Sequence, residues 1–272
     1  MDKIGIIAGK GLLPLHIGKS LIKNKYQICF FYIDHYENNN SYLDYENEKI
    51  ELKSFSKIIT SLKNHNINKI VMAGKIIRPS VKDIEFDFNT LSLIKDYLLE
   101  SKGDDNLLKS ISNLFAKKGF PLFNWRNICV DLFSSKDYLT KKRPSKLAIS
   151  NKNKGLAVFK IIGKSDVGQS IIVQNHLILG IECSEGTDEL IIRCNNYKKK
   201  GDKGILLKLS KYNQSSILDL PTIGMDTLNN LNNYNYEGIF IEKNSTIIID
   251  KDKIIKFCDE NDLFLSTVDK ID

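Results

Sequence analysis

The sequence is poor in the residues that build disulfide scaffolds and zinc motifs. It has only five cysteines and four histidines in 272 residues, and no two cysteines have the spacing of a metal-ligand pair. Four of the cysteines stand in apolar contexts, which predicts buried free thiols. No histidines are paired at ligand spacing, so we assign all four to surface or local roles. The cysteines are Cys29, Cys129, Cys183, Cys194 and Cys258; the histidines are His16, His35, His65 and His176.

Long apolar runs are also missing. No stretch approaches the roughly 20 apolar residues that a membrane span requires. The first residues enter a strand directly, without the pattern of a signal peptide. We therefore expect a soluble, cytoplasmic protein with reduced thiols. A content of 42% hydrophobic and 27% charged residues is typical of a globular chain, and the length suits one large domain or two ordinary ones.

The charge is positive but shows no concentrated basic surface. The formal charge is +7, and dense basic clusters occur only at 141–143 and 198–200. Such short runs are usually solvated, so we expect no nucleic-acid binding. A modest positive excess is compatible with an anionic substrate or with a negatively charged membrane surface.

A glycine-containing loop follows the first predicted strand. The apolar run Lys3–Ala8 ends at Gly9 and Gly11, and Pro14 then begins a helix. Glycines at such a turn let the backbone approach a ligand closely. Asp34, after the next strand, stands at about the spacing of the ribose-binding acid in dinucleotide folds, which is roughly 20 residues. The third glycine of that fingerprint is absent, so the loop indicates a nucleotide-sized ligand or a purely structural turn.

Strands and helices alternate along the chain, which predicts an α/β fold with a doubly wound parallel sheet. We predict a Rossmann-like N-terminal domain at 1–134, a linker at 135–153 and a C-terminal mixed α/β domain at 154–272. Residues 38–50 are interpreted as a polar surface excursion. The other local predictions are a helix at Thr90–Glu100, a helix at Asn106–Lys117 capped by Asp104 or Asp105, a short strand at Ile128–Val130, and an antiparallel pair formed by Ile239–Ile241 and Thr246–Ile249.

Two acidic turns stand after strands in the second half. Asp219 lies between Leu218 and Leu220, and Pro221 is predicted to begin a helix with Thr222 and Gly224 in its first turn. The acidic segment 185–189 also follows an apolar run. We expect both turns at one sheet edge, where phosphate and metal chemistry is usually built. On the residues alone, Asp219 and Asp188 are either functional groups or helix caps.

Six short motifs, in order, resemble the LpxI-type UDP-2,3-diacylglucosamine pyrophosphatases, which act in lipid A biosynthesis in Gram-negative bacteria. They span nearly the whole chain, and together they are specific where each alone is not. The motifs are Gly5–Pro14, Ala73–Pro79, Lys102–Asp105, Asp166–Gln169, Glu185–Asp188 and Asp219–Gly224. The chain departs from the family pattern at Lys10 and Lys75, and both changes add positive charge.

The resemblance implies two α/β domains around a cleft, the C-terminal one catalytic, and Mg²⁺-dependent hydrolysis of the substrate's pyrophosphate. The products are UMP and 2,3-diacylglucosamine 1-phosphate (lipid X). The substrate is a lipid-linked nucleotide, so contact with the inner membrane surface is implied, and a homodimer is consistent with the family. Asp219 matches the essential aspartate.

From this resemblance and the chemistry we assign roles to the candidate residues. Asp219 and Asp188 position the metal or the attacking water. Thr187 and Gln169 hold phosphate or sugar, and Gly9, Gly11 and Arg78 face the nucleotide. The remaining candidate substrate-binding residues are Leu12, Lys102, Asp104, Asp105, Glu185 and Thr222.

Two rival functions stay open at the level of sequence. An NAD(P)-dependent oxidoreductase would use the glycine loop and Asp34, and it predicts measurable dinucleotide binding. A non-catalytic nucleotide- or lipid-binding regulator would retain ligand affinity in an Asp219→Ala variant and have no turnover to lose. Neither rival accounts for the ordered motifs in the second half.

Overall fold

The computed structural model describes residues 2–33, 39–51, 54–75, 104–163, 167–211 and 217–270, with residues 39, 40 and 104–107 described for the backbone only. The chain divides into two compact units, Met1–Cys129 and Val130–Asp272. The predicted helix Thr90–Glu100 and the residues Asp34, Arg78 and Lys102 lie outside the described ranges. Within them, no helix is long and apolar enough to cross a membrane.

The first unit contains a four-stranded, fully parallel sheet with the strand order β3-β2-β1-β4. Its central strand is buried, with Ile4 and Ile6 fully inaccessible, as expected for a parallel sheet covered on both faces. The strands are β1 (Lys3–Ala8), β2 (Gln27–Ile33), β3 (Asn47–Ile50) and β4 (Lys69–Ala73), and the helices are α1 (Leu13–Lys23), α2 (Phe55–Asn64) and α3 (Asp104–Lys117).

The strand order places a topological switch point between β1 and β4. From β1 the chain builds β2 and β3 on one side and then returns to add β4 on the other. The loops that leave β1 and β4 therefore begin next to each other at the carboxyl edge, the usual ligand position in open α/β sheets. The predicted glycine loop, beginning at Gly9, is one of these two loops.

The second unit contains a mixed five-stranded sheet with the order β11-β9-β7-β5-β6. Strands β7, β9 and β11 are parallel, β5 and β6 run antiparallel to their neighbours, and β8 and β10 form a separate parallel pair. The strands are β5 (Ser170–Gln174), β6 (Leu177–Ile181), β7 (Ile205–Lys208), β8 (Thr222–Ile223), β9 (Gly238–Glu242), β10 (Ile247–Ile248) and β11 (Phe264–Val268). The helices are α4 (Lys146–Ile162), α5 (Thr187–Asn195), α6 (Met225–Asn233) and α7 (Lys251–Glu260).

Helices cover both faces of this sheet, because alternate strand residues point in opposite directions. Leu206 belongs to a core with residues of α5, α6 and α7. Its neighbours Ile205 and Leu207 belong to a second core with Ala148 and Phe159 of α4. The mixed α/β architecture predicted for the C-terminal half is confirmed.

Several local predictions differ from the structure. Residues 38–50 are not only a surface excursion: they include a 3-10 helix (Asn39–Tyr42) and strand β3. The predicted strand Ile128–Val130 is instead a turn leading into a 3-10 helix (Val130–Leu132). The predicted antiparallel pair is wrong, because β9 pairs in parallel with β7 and β11, while β10 pairs with β8. Helix α3 begins at Asp104, two residues before the predicted start.

Helix α4 begins inside the segment predicted as a linker. Ser145 caps it, because its Oγ accepts a hydrogen bond from Ala148 N at 3.0 Å. The Ser145 hydroxyl and backbone N–H donate to Glu237 at 2.9 and 2.7 Å. Ala148 is fully buried, so this half of the helix belongs to the core of the second unit despite its polar sequence.

The prediction for the cysteines is confirmed. All five are free thiols, four of them buried, and only Cys183 is exposed.

Candidate functional site

A buried lysine occupies the carboxyl end of strand β7. Lys208 is only 5% exposed, and its side chain lies on the sheet face covered by α5, two residues after Leu206. Its Nζ donates hydrogen bonds to the hydroxyls of Thr187 and, at 3.4 Å, Ser170. Ser170 lies opposite Lys208 in the β5–β7 register. The lysine is therefore held by its own sheet and by the first residue of helix α5.

Acidic side chains surround this ammonium group. Glu182 Oε2 lies 3.9 Å from Lys208 Nζ, and Glu182 Oε1 accepts a hydrogen bond from Thr187 at 3.0 Å. Burial lowers the pKa of Lys208, while the charges of Glu182, Asp188 and Asp219 act in the opposite direction. The site therefore combines one buried cation with three carboxylates that lie near it.

The two acidic turns predicted from the sequence meet in the structure. Both Asp188 and Asp219 lie close enough to Lys208 to affect its ionisation. The Thr227 hydroxyl, in the first turn of α6, donates a hydrogen bond to Asp188 Oδ1 at 2.9 Å. The segment that contains Asp219 is thereby joined to the start of helix α5. Gly186 precedes this helix with φ +87°, a conformation that glycine adopts without strain.

The helix predicted to begin at Pro221 begins instead at Met225, with Gly224 as its N-cap. Thr222 and Ile223 form strand β8, which pairs with β10. Asp219 is therefore not the cap of this helix. The prediction is wrong because the proline precedes a two-residue strand that pairs with a distant segment, a contact that local propensity does not encode.

Other candidate residues of the second unit make local contacts. Glu185 Oε1 accepts two hydrogen bonds from the Arg193 guanidinium, at 2.8 and 3.0 Å, and Glu185 Oε2 accepts one from Cys183 N. Thr222 Oγ1 donates to Leu220 O. The carbonyl of Gln169 accepts from Leu209 N, which places Gln169 just before β5. Their substrate-binding roles stay predictions.

Sequence reasoning missed several members of this cluster. These residues are not spaced as in a recognisable sequence motif. The only sequence feature that points to Lys208 is its position as a charged residue directly after the apolar run 205–207. Glu242 ends the adjacent strand β9 and accepts a hydrogen bond from Ser210 N at 3.0 Å. Its Oε1 is buried and has no hydrogen-bond partner among the residues the structure describes. The missed members are Ser170, Glu182, Lys208 and Thr227; Glu242 is not one of them, because strand alternation places it on the other face of the sheet, with Phe240.

In the first unit, the loops that leave β1 and β4 contact each other at the switch point. The backbones of Lys10 and Lys75 exchange two hydrogen bonds, at 2.7 and 2.9 Å. A side chain on Gly9 would come within 2.9 Å of Gly74 and 2.8 Å of the Lys75 carbonyl, so glycine is required there. Gly11 has φ +101° and open space around its Cα. These observations agree with a backbone that a ligand can approach.

Three further candidates of this unit can be placed only in part. Leu12 precedes helix α1 as its N-cap residue and is 39% exposed. Asp104 and Asp105 form the start of helix α3, where the structure describes the backbone. Arg78 and Lys102 lie outside the described residues, so their roles stay predictions.

The fold and the site define a class: a two-unit α/β protein with a buried lysine–carboxylate cluster at the strand ends of its second unit. Residues 3–132 match the family model described as the LpxI N-terminal domain, and residues 135–266 match the LpxI C-terminal domain. The chain belongs to the LpxI family, as the six motifs predict. It is 27% identical over 277 residues to the UDP-2,3-diacylglucosamine pyrophosphatase LpxI of Caulobacter vibrioides, an alignment that covers 99% of this chain and 98% of that protein.

Proposed function

We propose that this protein hydrolyses the pyrophosphate of UDP-2,3-diacylglucosamine, releasing UMP and 2,3-diacylglucosamine 1-phosphate in lipid A biosynthesis. The observation that carries the proposal is the convergence of Asp188 and Asp219 on the buried Lys208, in a chain whose two halves both match LpxI domains. Pyrophosphate cleavage requires neutralised phosphate oxygens and an oriented water, which such a charged cluster can supply.

The donor set of this cluster suits Mg²⁺. This ion usually binds through one or two carboxylates and retains several waters, and Asp188 and Asp219 are the two carboxylates we assign to it. In the described part of the second unit, no three ligand side chains bring their atoms within 4.8 Å of one another. When bound, Mg²⁺ supplies charge neutralisation on the phosphates.

The chain's own residues have separate tasks in this proposal. Asp219 orients the attacking water or holds the metal, and Asp188 is fixed for the same purpose by the Thr227 hydroxyl. Lys208 acts as a positioning residue, because its ammonium holds Thr187 at the start of helix α5. In the first unit, the open backbone at Gly11 and the charges of Lys10 and Lys75 suit a nucleotide phosphate.

Incubation of the purified protein with UDP-2,3-diacylglucosamine and Mg²⁺ is expected to release UMP and the lipid monophosphate in equal amounts. Excess EDTA should abolish the release, and excess Mg²⁺ should restore it. Chromatographic measurement of both products identifies the bond that is cleaved. A folded protein that releases no UMP would refute the proposed reaction. Binding of NAD(P) by such a protein would favour the oxidoreductase alternative.

A substrate with two acyl chains requires an approach to a lipid surface, and we propose helix α4 for this contact. The helix contains no acidic residue, and its exposed side presents both lysines and apolar side chains. Such a surface is complementary to an anionic bilayer. Asp137 and Asp269 lie nearby, but both pair with Lys243. The exposed residues of this side are Lys146, Leu147, Ile149, Lys154, Lys160 and Ile161. The proposed homodimer rests on the family resemblance alone.

The double variant Lys154→Glu/Lys160→Glu is expected to bind phosphatidylglycerol-containing vesicles at least about 30-fold more weakly, because each of the two lysines near such a surface contributes about 1 kcal/mol. Co-sedimentation with vesicles measures this binding. The matched control is Lys253→Glu/Lys256→Glu on the exposed side of α7, which changes the net charge equally. Equal weakening in both double variants would show that net charge, and not helix α4, determines binding.

A further inference from the structure

A second cluster of ligand-type side chains lies in the first unit and is not used by the proposed reaction. Cys29 is in strand β2, Glu46 precedes strand β3, and His65 follows the last residue of helix α2. One ligand atom of each lies within 4.8 Å of those of the other two. We call these three residues the Cys–His–Glu cluster. They are distant in sequence, so no spacing motif reveals them.

One distance within the cluster matches that between two ligands of a tetrahedral metal ion, and a second is shorter. Cys29 Sγ lies 3.6 Å from His65 Nδ1. Zinc bonds of about 2.3 Å to sulfur and about 2.0–2.1 Å to nitrogen at a tetrahedral angle require a separation of about 3.6 Å. His65 Nδ1 lies 2.8 Å from Glu46 Oε1, and this pair would have to open by about 0.5 Å to share an ion. The Glu46 side chain is 44% exposed, which leaves room for that shift.

The second nitrogen of the histidine is held as in known metal sites. His65 Nε2 lies 3.0 Å from Glu48 Oε2, and Glu48 Oε1 accepts a hydrogen bond from Ser61 at 2.6 Å. Metal-binding histidines usually donate their other N–H to a carboxylate, which fixes the tautomer and the ring orientation. With Nε2 donating to Glu48, Nδ1 is the ring nitrogen that would bind an ion between Cys29 and Glu46.

Burial and neighbouring charges shift the pKa values of two members of the cluster, Cys29 and Glu46. Burial raises the pKa of Cys29 to about 12, with a further increase from Glu46 and an opposing effect of Lys3. Partial burial raises the pKa of Glu46, but hydrogen bonds from Lys3 and His65 outweigh it and the pKa is lowered. His65 lies between the carboxylates of Glu46 and Glu48.

We propose that Cys29, Glu46 and His65 bind a zinc-class divalent transition-metal ion, with Glu48 as the carboxylate behind the histidine and water in the fourth position. Sulfur and imidazole ligands select this class over Mg²⁺, so the site is distinct from the one that serves the proposed hydrolysis. The ion joins strand β2, the segment before β3 and the end of α2. Its expected effect is to stabilise the polar edge strand β3 in its pairing with β2.

The test is titration of the metal-free full chain with Co²⁺, followed by Zn²⁺ in competition. We expect one equivalent of Co²⁺ to produce a thiolate-to-cobalt charge-transfer band, which Zn²⁺ removes and Mg²⁺ does not. Cys29→Ser should lose the band, whereas Cys183→Ser, which removes the exposed cysteine, should retain it. Glu48→Gln should weaken affinity about 10- to 100-fold, as is typical for the group behind a metal-binding histidine.

Two outcomes would overturn the proposal: a folded wild-type chain with no thiolate band, or a band that persists in Cys29→Ser. If Cys29→Ser does not fold, Glu46→Gln decides, because this partly exposed side chain can be changed without altering the core. Unchanged Co²⁺ affinity in both Glu46→Gln and Glu48→Gln would then refute the site. These measurements follow metal binding directly and do not depend on enzymatic activity, so their failure leaves the proposed hydrolysis unaffected.

Discussion

Asp219→Asn is expected to lower the rate of UMP release by about 10³-fold while the protein remains folded. The amide keeps the size of the carboxylate but loses the charge that binds Mg²⁺ or accepts a proton from water, and such groups contribute about 10²- to 10⁴-fold. Asp219 lies in a turn and is partly exposed, so the substitution leaves the core unchanged. Steady-state kinetics with Mg²⁺, together with circular dichroism, would measure both properties.

The matched control for this prediction is Asp226→Asn. Asp226 lies seven residues further along the same segment, exposed in the first turn of helix α6. It should retain activity within about twofold, because an exposed charge away from the cluster contributes little. An Asp219→Asn enzyme with wild-type kcat would remove Asp219 from the mechanism. Equal losses in both variants would indicate a general effect of charge in this segment.

Lys208→Met is expected to lower kcat by about 10²-fold, the typical loss when a preorganised charge or donor is removed from an active site. Methionine fills a similar volume, but Thr187 loses the ammonium group and Glu182 is left buried without its cation. Breaking a buried ion pair is also destabilising. Kinetics and chemical denaturation should therefore be measured on the same preparations.

A double variant separates the two effects of this change. Lys208→Met/Glu182→Gln removes both charges, and we expect it to recover stability while its activity remains low. Lys203→Met, an exposed lysine before the start of the same strand, serves as the control and should behave as the wild type. Recovery of activity together with stability in the double variant would show that Lys208 serves the fold alone.

The sheet of the first unit is largely readable from the sequence because β1, β2 and β4 are apolar runs. The predicted bounds of β1, Lys3–Ala8, match the structure. Strand β3 is different, because Asn47–Ile50 is a polar edge strand with one neighbour, β2. Its sequence has neither the apolar run nor the alternation that identifies a strand. What fixes it is backbone pairing with a segment that comes earlier in the chain.

In the second unit, the strand partners cannot be predicted from the sequence, because they pair over long distances in the chain. Strands β9 and β10 are close in sequence, so a hairpin is the simplest prediction, yet each pairs in parallel with a different distant strand. Parallel partners need crossover connections, and the residues of a strand do not specify which partner they meet. The helix expected after Asp219 exists but begins at Met225 and not at Pro221, because Thr222 and Ile223 pair with β10.

The two aspartates of the candidate site can be predicted from the sequence, but Lys208 cannot. Asp188 and Asp219 stand in turns that follow strands, and ligands of α/β proteins commonly bind at such positions. Lys208 ends a strand, where lysines are commonly solvated, and its burial depends on helix α5 covering that strand end. Likewise, 36 residues separate Cys29 from His65. Only the fold reveals both of these clusters.

The contact between the loops after β1 and β4 has an evolutionary consequence. A side chain on Gly9 would collide with Gly74, and one on Gly74 with Gly9, in each case with backbone atoms that cannot rotate away. Neither position can accept a larger residue unless the opposite loop is rebuilt in the same lineage. The two glycines are 65 positions apart in the chain. A substitution at either one therefore requires a compensating change in the other loop, so the two positions are expected to evolve together.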